Sequence, residues 1–191
     1  MASLSMYAKI YRNLKYLISF FVIFLCTANI SGQSELDSSM MQRIESEVLR
    51  KEKRLVRQVR SGEIAHAIIA DYELEAFRID EYLYRKIERN NQIANYISEL
   101  IIAEKRYQIL LSKYLSLLQG LLDDEDQKIL DNAQARWLAY RRFEQELNKR
   151  INPEAYDLPA IPIESIAERH LDITKYRVAE MVDYIARLNE E

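Results

Sequence analysis

Beyond residue 32 the chain holds only two glycines, Gly62 and Gly120, and three prolines, Pro153, Pro159 and Pro162, and all five fall between long periodic segments. A chain so poor in turn formers cannot make the many tight connections of a sheet protein. Apolar residues recur at steps of three and four, strand-type alternation is absent, and the segments therefore read as amphipathic helices. Each must bury its stripe against another, so the expected fold is all-α, a bundle of four to five helices with short loops.

The first segment, about 36–60, carries Leu36, Met40, Ile44, Val48, Leu55 and Val59 on one stripe and stops at Ser61-Gly62-Glu63. The second runs through Ile64, Ile68, Tyr72, Ala76, Ile79, Leu83 and Ile87 to Asn90-Asn91. The third repeats in sevens at Ile93, Leu100, Tyr107, Tyr114 and Leu121, flanked by Ile97, Leu111 and Leu118. Asparagine is a weak stop, so 64–119 reads as one helix or two. Gly120 is placed to close the third segment in the left-handed conformation. Asp123-Asp124-Glu125-Asp126 opens the fourth helix, where carboxylates cap free N–H groups and face the positive end of the dipole. Its stripe is read as Leu130, Ala133, Trp137, Tyr140, Leu147 and Ile151. After a proline loop, a last helix from about 163 carries Ala167, Leu171, Thr174, Val178, Met181, Ile185 and Leu188.

The N-terminus differs in kind. Lys9, Arg12 and Lys15 are the only charges before Glu35, and they precede an apolar run from Tyr16 to Cys26 and the small and polar residues 27–32. A basic start, a short apolar stretch and a small-residue exit describe a secretory signal peptide, and the run is shorter than the roughly 20 residues that a membrane span needs. Residues 1–32 are read as a leader, cleaved after Gly32, and the chain as exported to the periplasm or beyond. An uncleaved anchor is one alternative. A lipoprotein attached through Cys26 is another, although Leu25 stands where a small residue is expected. The cleaved chain has 24 Lys and Arg against 30 Asp and Glu, a formal charge of −6, and no cysteine. Its core alone must hold it together, and its charge argues against nucleic acid and favours a basic partner.

No arrangement in the sequence suggests an enzyme. His66 and His170 have no second histidine or cysteine at ligand spacing, so neither a metal nor a cofactor site is expected. No serine sits in a nucleophile elbow, and there are too few glycines for a phosphate-binding loop. The strongest charge feature is basic: Arg50, Lys53, Arg54, Arg57 and Arg60 share one helical face. The expected role is a solvated face paired with acidic neighbours; contact with an anionic membrane surface is the alternative.

One string is more specific. Leu111, Tyr114, Ala133-Gln134, Trp137, Tyr140-Arg141 and, further on, Thr174 and Arg177 resemble the motifs of the family named for the lysozyme inhibitor LprI, over about 91–188. Residues 91–191 then form the LprI-like domain, and 33–90 an additional helical pair. The resemblance implies an exported helical protein-binding module, with a basic lysozyme as its partner; a structural or adaptor protein of the envelope is the alternative. Members usually carry cysteines after the Trp-bearing helix and before the last helix, and this chain has none there. The motif residues are expected to act as scaffold, with Trp137, Tyr140, Gln134 and Arg177 clustered near Tyr114, and Arg141 on a neighbouring exposed face.

Overall fold

The computed structural model describes residues 38–89, 93–151 and 162–189, all within a compact unit spanning Asp37–Glu191. The leader and its cleavage site, Cys26, Leu36, the Asn90-Asn91 break and the loop 152–161 lie outside the described residues. Among the described residues there are five helices and no strand: α1 Ser38–Ser61, α2 Ala67–Arg89, α3 Ile93–Gln119, α4 Asp124–Ile151 and α5 Pro162–Leu188. The fold is the all-α bundle that the periodicity dictates, and the described residues between 64 and 119 hold two helices, Ala67–Arg89 and Ile93–Gln119.

The helix ends follow from local chemistry. Gly62 closes α1 with φ of 78°, a conformation that costs glycine little, and its N–H donates to the Val59 carbonyl. Gly120 does not take the left-handed conformation expected of it. α3 instead tightens at its end, where Leu121 N–H donates to Leu118 O at 2.9 Å, and the Gln127 amide donates to the carbonyls of Gln119 and Leu122 at 2.9 and 3.0 Å. A side chain from the next helix thus satisfies the free carbonyls, and no left-handed residue is needed. Asp123 caps α4 as its sequence implies, its Oδ1 accepting from the N–H groups of Glu125 and Asp126 at 2.9 Å each. Pro162 opens α5, where its missing N–H would have had no helical partner.

α3 and α5 form the most closely packed pair, α2 packs on both, α1 packs on α2, and α4 packs on α5. The core lies where Leu100, Tyr107, Leu111, Tyr114 and Leu118 of α3 meet Leu171, Val178, Met181, Val182 and Ile185 of α5. Ile79 of α2 joins them, with Ile68, Tyr72, Ala76 and Leu83 half-buried around it. α1 buries Ile44, Val48 and Leu55. Three ion pairs tie it to α2: Lys51–Glu73 at 2.7 Å, Arg85–Glu47 at 3.3 Å and Arg78–Glu45 at 3.6 Å.

α4 is the exception to the stripe reading. Leu130 is buried and Trp137 packs on the core, but Ala133, Tyr140 and Leu147 are exposed. The inward line is Leu130, Gln134, Trp137, Arg141, Glu144 and Asn148, none of them fully exposed. The helix is rotated by roughly 60° from the orientation that its most apolar line would choose, at about 100° per residue. The reason is a charge in the core, described next.

Candidate functional site

Glu104 of α3 is only 8% exposed, and a carboxylate at that depth needs a counter-charge. Arg141 of α4 supplies it, its Nη2 bonding to Glu104 Oε1. This pairing corrects the expectation that Arg141 lies on an exposed face. One turn before Arg141 is Trp137, flanked by two guanidiniums: Arg141 and Arg177 lie 5.8 and 5.9 Å from its ring centroid. Both distances suit cation–π attraction. Arg177, itself 7% exposed, donates from Nε to Gln134 Oε1 at 3.1 Å and from Nη1 to Glu180 Oε2 at 3.1 Å.

The other motif residues go elsewhere. Thr174 is fully buried, but its hydroxyl donates to the His170 carbonyl at 3.0 Å and not to Gln134. Tyr114 belongs to a second polar centre between α2 and α3. Its hydroxyl donates to Glu75 Oε2 at 2.8 Å, its ring meets Tyr72 edge-on at 6.0 Å, and Lys113 holds the same carboxylate at 2.7 Å. Tyr107 repeats the arrangement below it, donating to Asp80 at 3.0 Å, with Lys175 on the same carboxylate at 2.8 Å. Burial and these carboxylates push both phenols well above the ordinary tyrosine range. Tyr140 points away from either centre and is 48% exposed. Gln134, Trp137, Arg141 and Arg177 therefore come together, while Tyr114, Thr174 and Tyr140 do not join them.

Sequence reasoning passed over Glu104 and the pair Glu144–Arg169, which closes the α4–α5 seam at 2.8 Å. The signal for Glu104 was present: it stands three residues before Tyr107 and four after Leu100, on the core stripe of α3. His170 lies on α5 near this cluster, its Nε2 buried and without a hydrogen-bond partner among the described residues. Burial holds its imidazole below the usual range; Glu104 and Glu144 pull the other way, and Arg141 and Arg169 act with burial. Its folded pKa therefore lies below the unfolded value of about 6.5. The unfolded state takes up the proton first, so stability falls as pH drops below about 6.5. His170→Gln should flatten this slope in thermal melts between about pH 7.5 and 5.5, clear of the carboxylate range. A slope identical to that of the wild type would assign the effect to other groups.

Among the described residues no three His, Cys, Asp or Glu side chains converge to hold a metal ion. A shallow cleft of about 430 Å³ between α4 and α5, bordered by Asn148, Ile166, Arg169, Asp172 and Tyr176, mixes polar and apolar walls. Comparison of the chain with protein-family models, with curated proteins and with solved structures gave no match.

What the rotation of α4 leaves outside is the more informative surface. Ile129, Tyr140, Phe143 and Leu147 line one flank of the helix at 62, 48, 57 and 51% exposure. At that helix's N-terminal end stand Asp123, Asp124, Glu125 and Asp126, all exposed. Tyr140, Phe143 and Leu147 make a contiguous apolar patch, with Ile129 further along the same flank beyond the exposed Arg136; such a patch is unusual for a surface that meets only water.

Proposed function

We propose that this chain is an exported helical protein-binding module whose docking face is the outward flank of α4. The observation that carries the reading is the patch of Tyr140, Phe143 and Leu147, with Ile129 further along the same flank, left bare because the inward face of α4 is committed to Glu104 and the Trp137 cluster. Aromatic and aliphatic anchors at helical spacing are how a helix face binds a partner protein. The acidic N-terminal end of α4 and the formal charge of −6 on the cleaved chain suit a cationic partner. A basic lysozyme, the partner implied by the motif resemblance, is the defined candidate. In this reading Gln134, Trp137, Arg141 and Arg177 hold α4 in place and the binding is done by its flank.

Phe143→Glu and Leu147→Glu should each weaken lysozyme binding by tenfold or more, as loss of an interface anchor does at about 1.4 kcal/mol per decade. Their melting temperatures should stay within a degree or two of the wild type, because both side chains are already exposed. Surface-plasmon titration together with a lysozyme activity assay reads the binding, and thermal melts read the stability. Full lysozyme activity at saturating concentrations of the chain would remove lysozyme as the partner, and unchanged binding by both variants would remove this face.

A second reading, an envelope adaptor without inhibitory activity, is favoured by α1. That helix packs on one side only and presents a strongly basic second face.

A further inference from the structure

α1 has two faces with different chemistries. Ile44, Val48 and Leu55 are buried. On the far side Arg43, Arg50, Lys53, Arg54, Arg57 and Arg60 fall within an arc of about 120°, and all six are exposed. The row extends about 26 Å along the helix axis at 1.5 Å per residue. Its neutralisation by acidic groups is slight. Glu47 at the border touches Arg50 at 3.3 Å but is shared with Arg85 of α2, and Glu45 pairs with Arg78 of α2. Arg57 donates to the Lys53 carbonyl, which leaves its charge outward. Among the described residues Lys53, Arg54 and Arg60 have no acidic partner. The face is solvated as expected, but among the described residues only Arg50 of the row has an acidic neighbour.

Two further features narrow the partner. Leu49 and Val56, seven residues apart and 49 and 43% exposed, run along the edge of the basic row beside Lys53 and Arg60. The charge of the chain is also divided: α1 holds seven basic residues against three acidic ones, while residues 62–191 hold 17 against 25. An anionic plane would attract α1 and repel the rest, which orients the molecule before contact. A phosphate backbone has no use for Leu49 and Val56, whereas the boundary between headgroups and acyl chains takes up such side chains beneath a ring of cations.

We propose that α1 is a docking face for the surface of an anionic phospholipid bilayer, on which it lies flat with Leu49 and Val56 inserted and the six cations over the headgroups. With only two apolar anchors the binding is mainly electrostatic, hence reversible and sensitive to salt. It uses a different helix from the proposed protein-docking face, and either reading can fail alone.

The test uses the chain from Gln33 onward, which contains the whole described core. Co-sedimentation is measured with phosphatidylcholine vesicles, with vesicles containing phosphatidylglycerol, and, as a competing polyanion, by titration with duplex DNA. Retention is expected on the anionic vesicles only, with release at high salt. Arg54→Gln/Arg57→Gln should weaken it more than tenfold, at about fivefold for each cation removed. Leu49→Ser/Val56→Ser should also weaken it. Far-UV melts of both double variants should match the wild type, since every altered side chain is exposed. Equal retention on neutral and anionic vesicles would overturn the proposal, as would no retention at low salt. Tighter binding to DNA with no effect of Leu49→Ser/Val56→Ser would make the face a general polyanion site and would also overturn it.

Discussion

Tyr114→Ala should lower unfolding stability by about 3–5 kcal/mol, the range for removing a large aromatic from a packed core. For a domain of this size that corresponds to a fall in melting temperature of roughly 6–20 °C. Tyr114 is fully buried, meets the Tyr72 ring edge-on, and donates its hydroxyl to Glu75 from a position where water cannot replace it. Truncation leaves both a cavity and a carboxylate that has lost one of its two partners. Tyr114→Phe separates the two losses. The ring stays, Lys113 still holds Glu75, and the cost should be close to the ~1 kcal/mol of one hydrogen bond. The pH dependence has a definite sign. The folded phenol is held well above its unfolded value, so stability is fully present below about pH 10 and is lost as pH rises beyond it. Tyr114→Phe should retain more of its neutral-pH stability at alkaline pH than the wild type does. Urea melts at neutral and alkaline pH measure all three effects. A loss below 1 kcal/mol for Tyr114→Ala would mean that the ring is not part of the core.

The same residues show what the sequence makes legible and where it stops. In α3 and α5 the most apolar line is also the inward line. Leu100, Tyr107, Leu111, Tyr114 and Leu118 on one helix, and Leu171, Val178, Met181 and Ile185 on the other, are readable from spacing alone. In α1 the buried line Ile44, Val48 and Leu55 is equally clear, and it places the cations on the far side by geometry. α4 resists the method because its most apolar line and its inward line are different. Periodicity finds the line through Ala133, Tyr140 and Leu147. The fold chooses the line through Gln134, Trp137, Arg141 and Glu144, because Glu104 of another helix requires a cation there. Whether Glu104 is deeply buried depends on how three helices meet, which one helix's pattern does not contain. Gly120 illustrates a similar gap: a glycine near a helix end suggests a left-handed closure, but Gln127 of the next helix caps those carbonyls instead. The outward flank of α4 is hidden from the periodicity for the same reason, since its exposure is a consequence of the rotation.

The pairing that sets this rotation is open to a direct test, with a second large effect. Arg141→Ala should cost about 3–5 kcal/mol, the penalty for leaving a buried charge without its partner. The side chains of Arg141 and Glu104 are 17 and 11% exposed, so solvent compensates little of the loss. Glu104→Ala should cost a similar amount, because Arg141 would then face the Trp137 ring and the Arg177 guanidinium with no acid to balance them. The double variant Glu104→Leu/Arg141→Leu tests something else. Two apolar side chains of comparable volume remove both desolvation penalties, and replacing a buried pair in this way is often neutral or stabilising by about 1–4 kcal/mol. The double variant should therefore be far more stable than either alanine variant, and a double-mutant cycle of alanines should give a coupling of at least about 1 kcal/mol. The consequences for α4 follow from geometry. With the ion pair gone but an apolar residue at 141, the inward line keeps its Trp137 contact and gains a buried leucine, so the helix should hold its orientation and its flank should keep binding. Arg141→Ala alone frees α4 to turn its apolar flank inward, and protein binding through Phe143 and Leu147 should fall together with stability. Additive losses of under 1 kcal/mol each would mean that the Glu104–Arg141 pair is solvated and does not set the rotation of α4. Retained binding by a destabilised Arg141→Ala would separate the orientation of α4 from that ion pair.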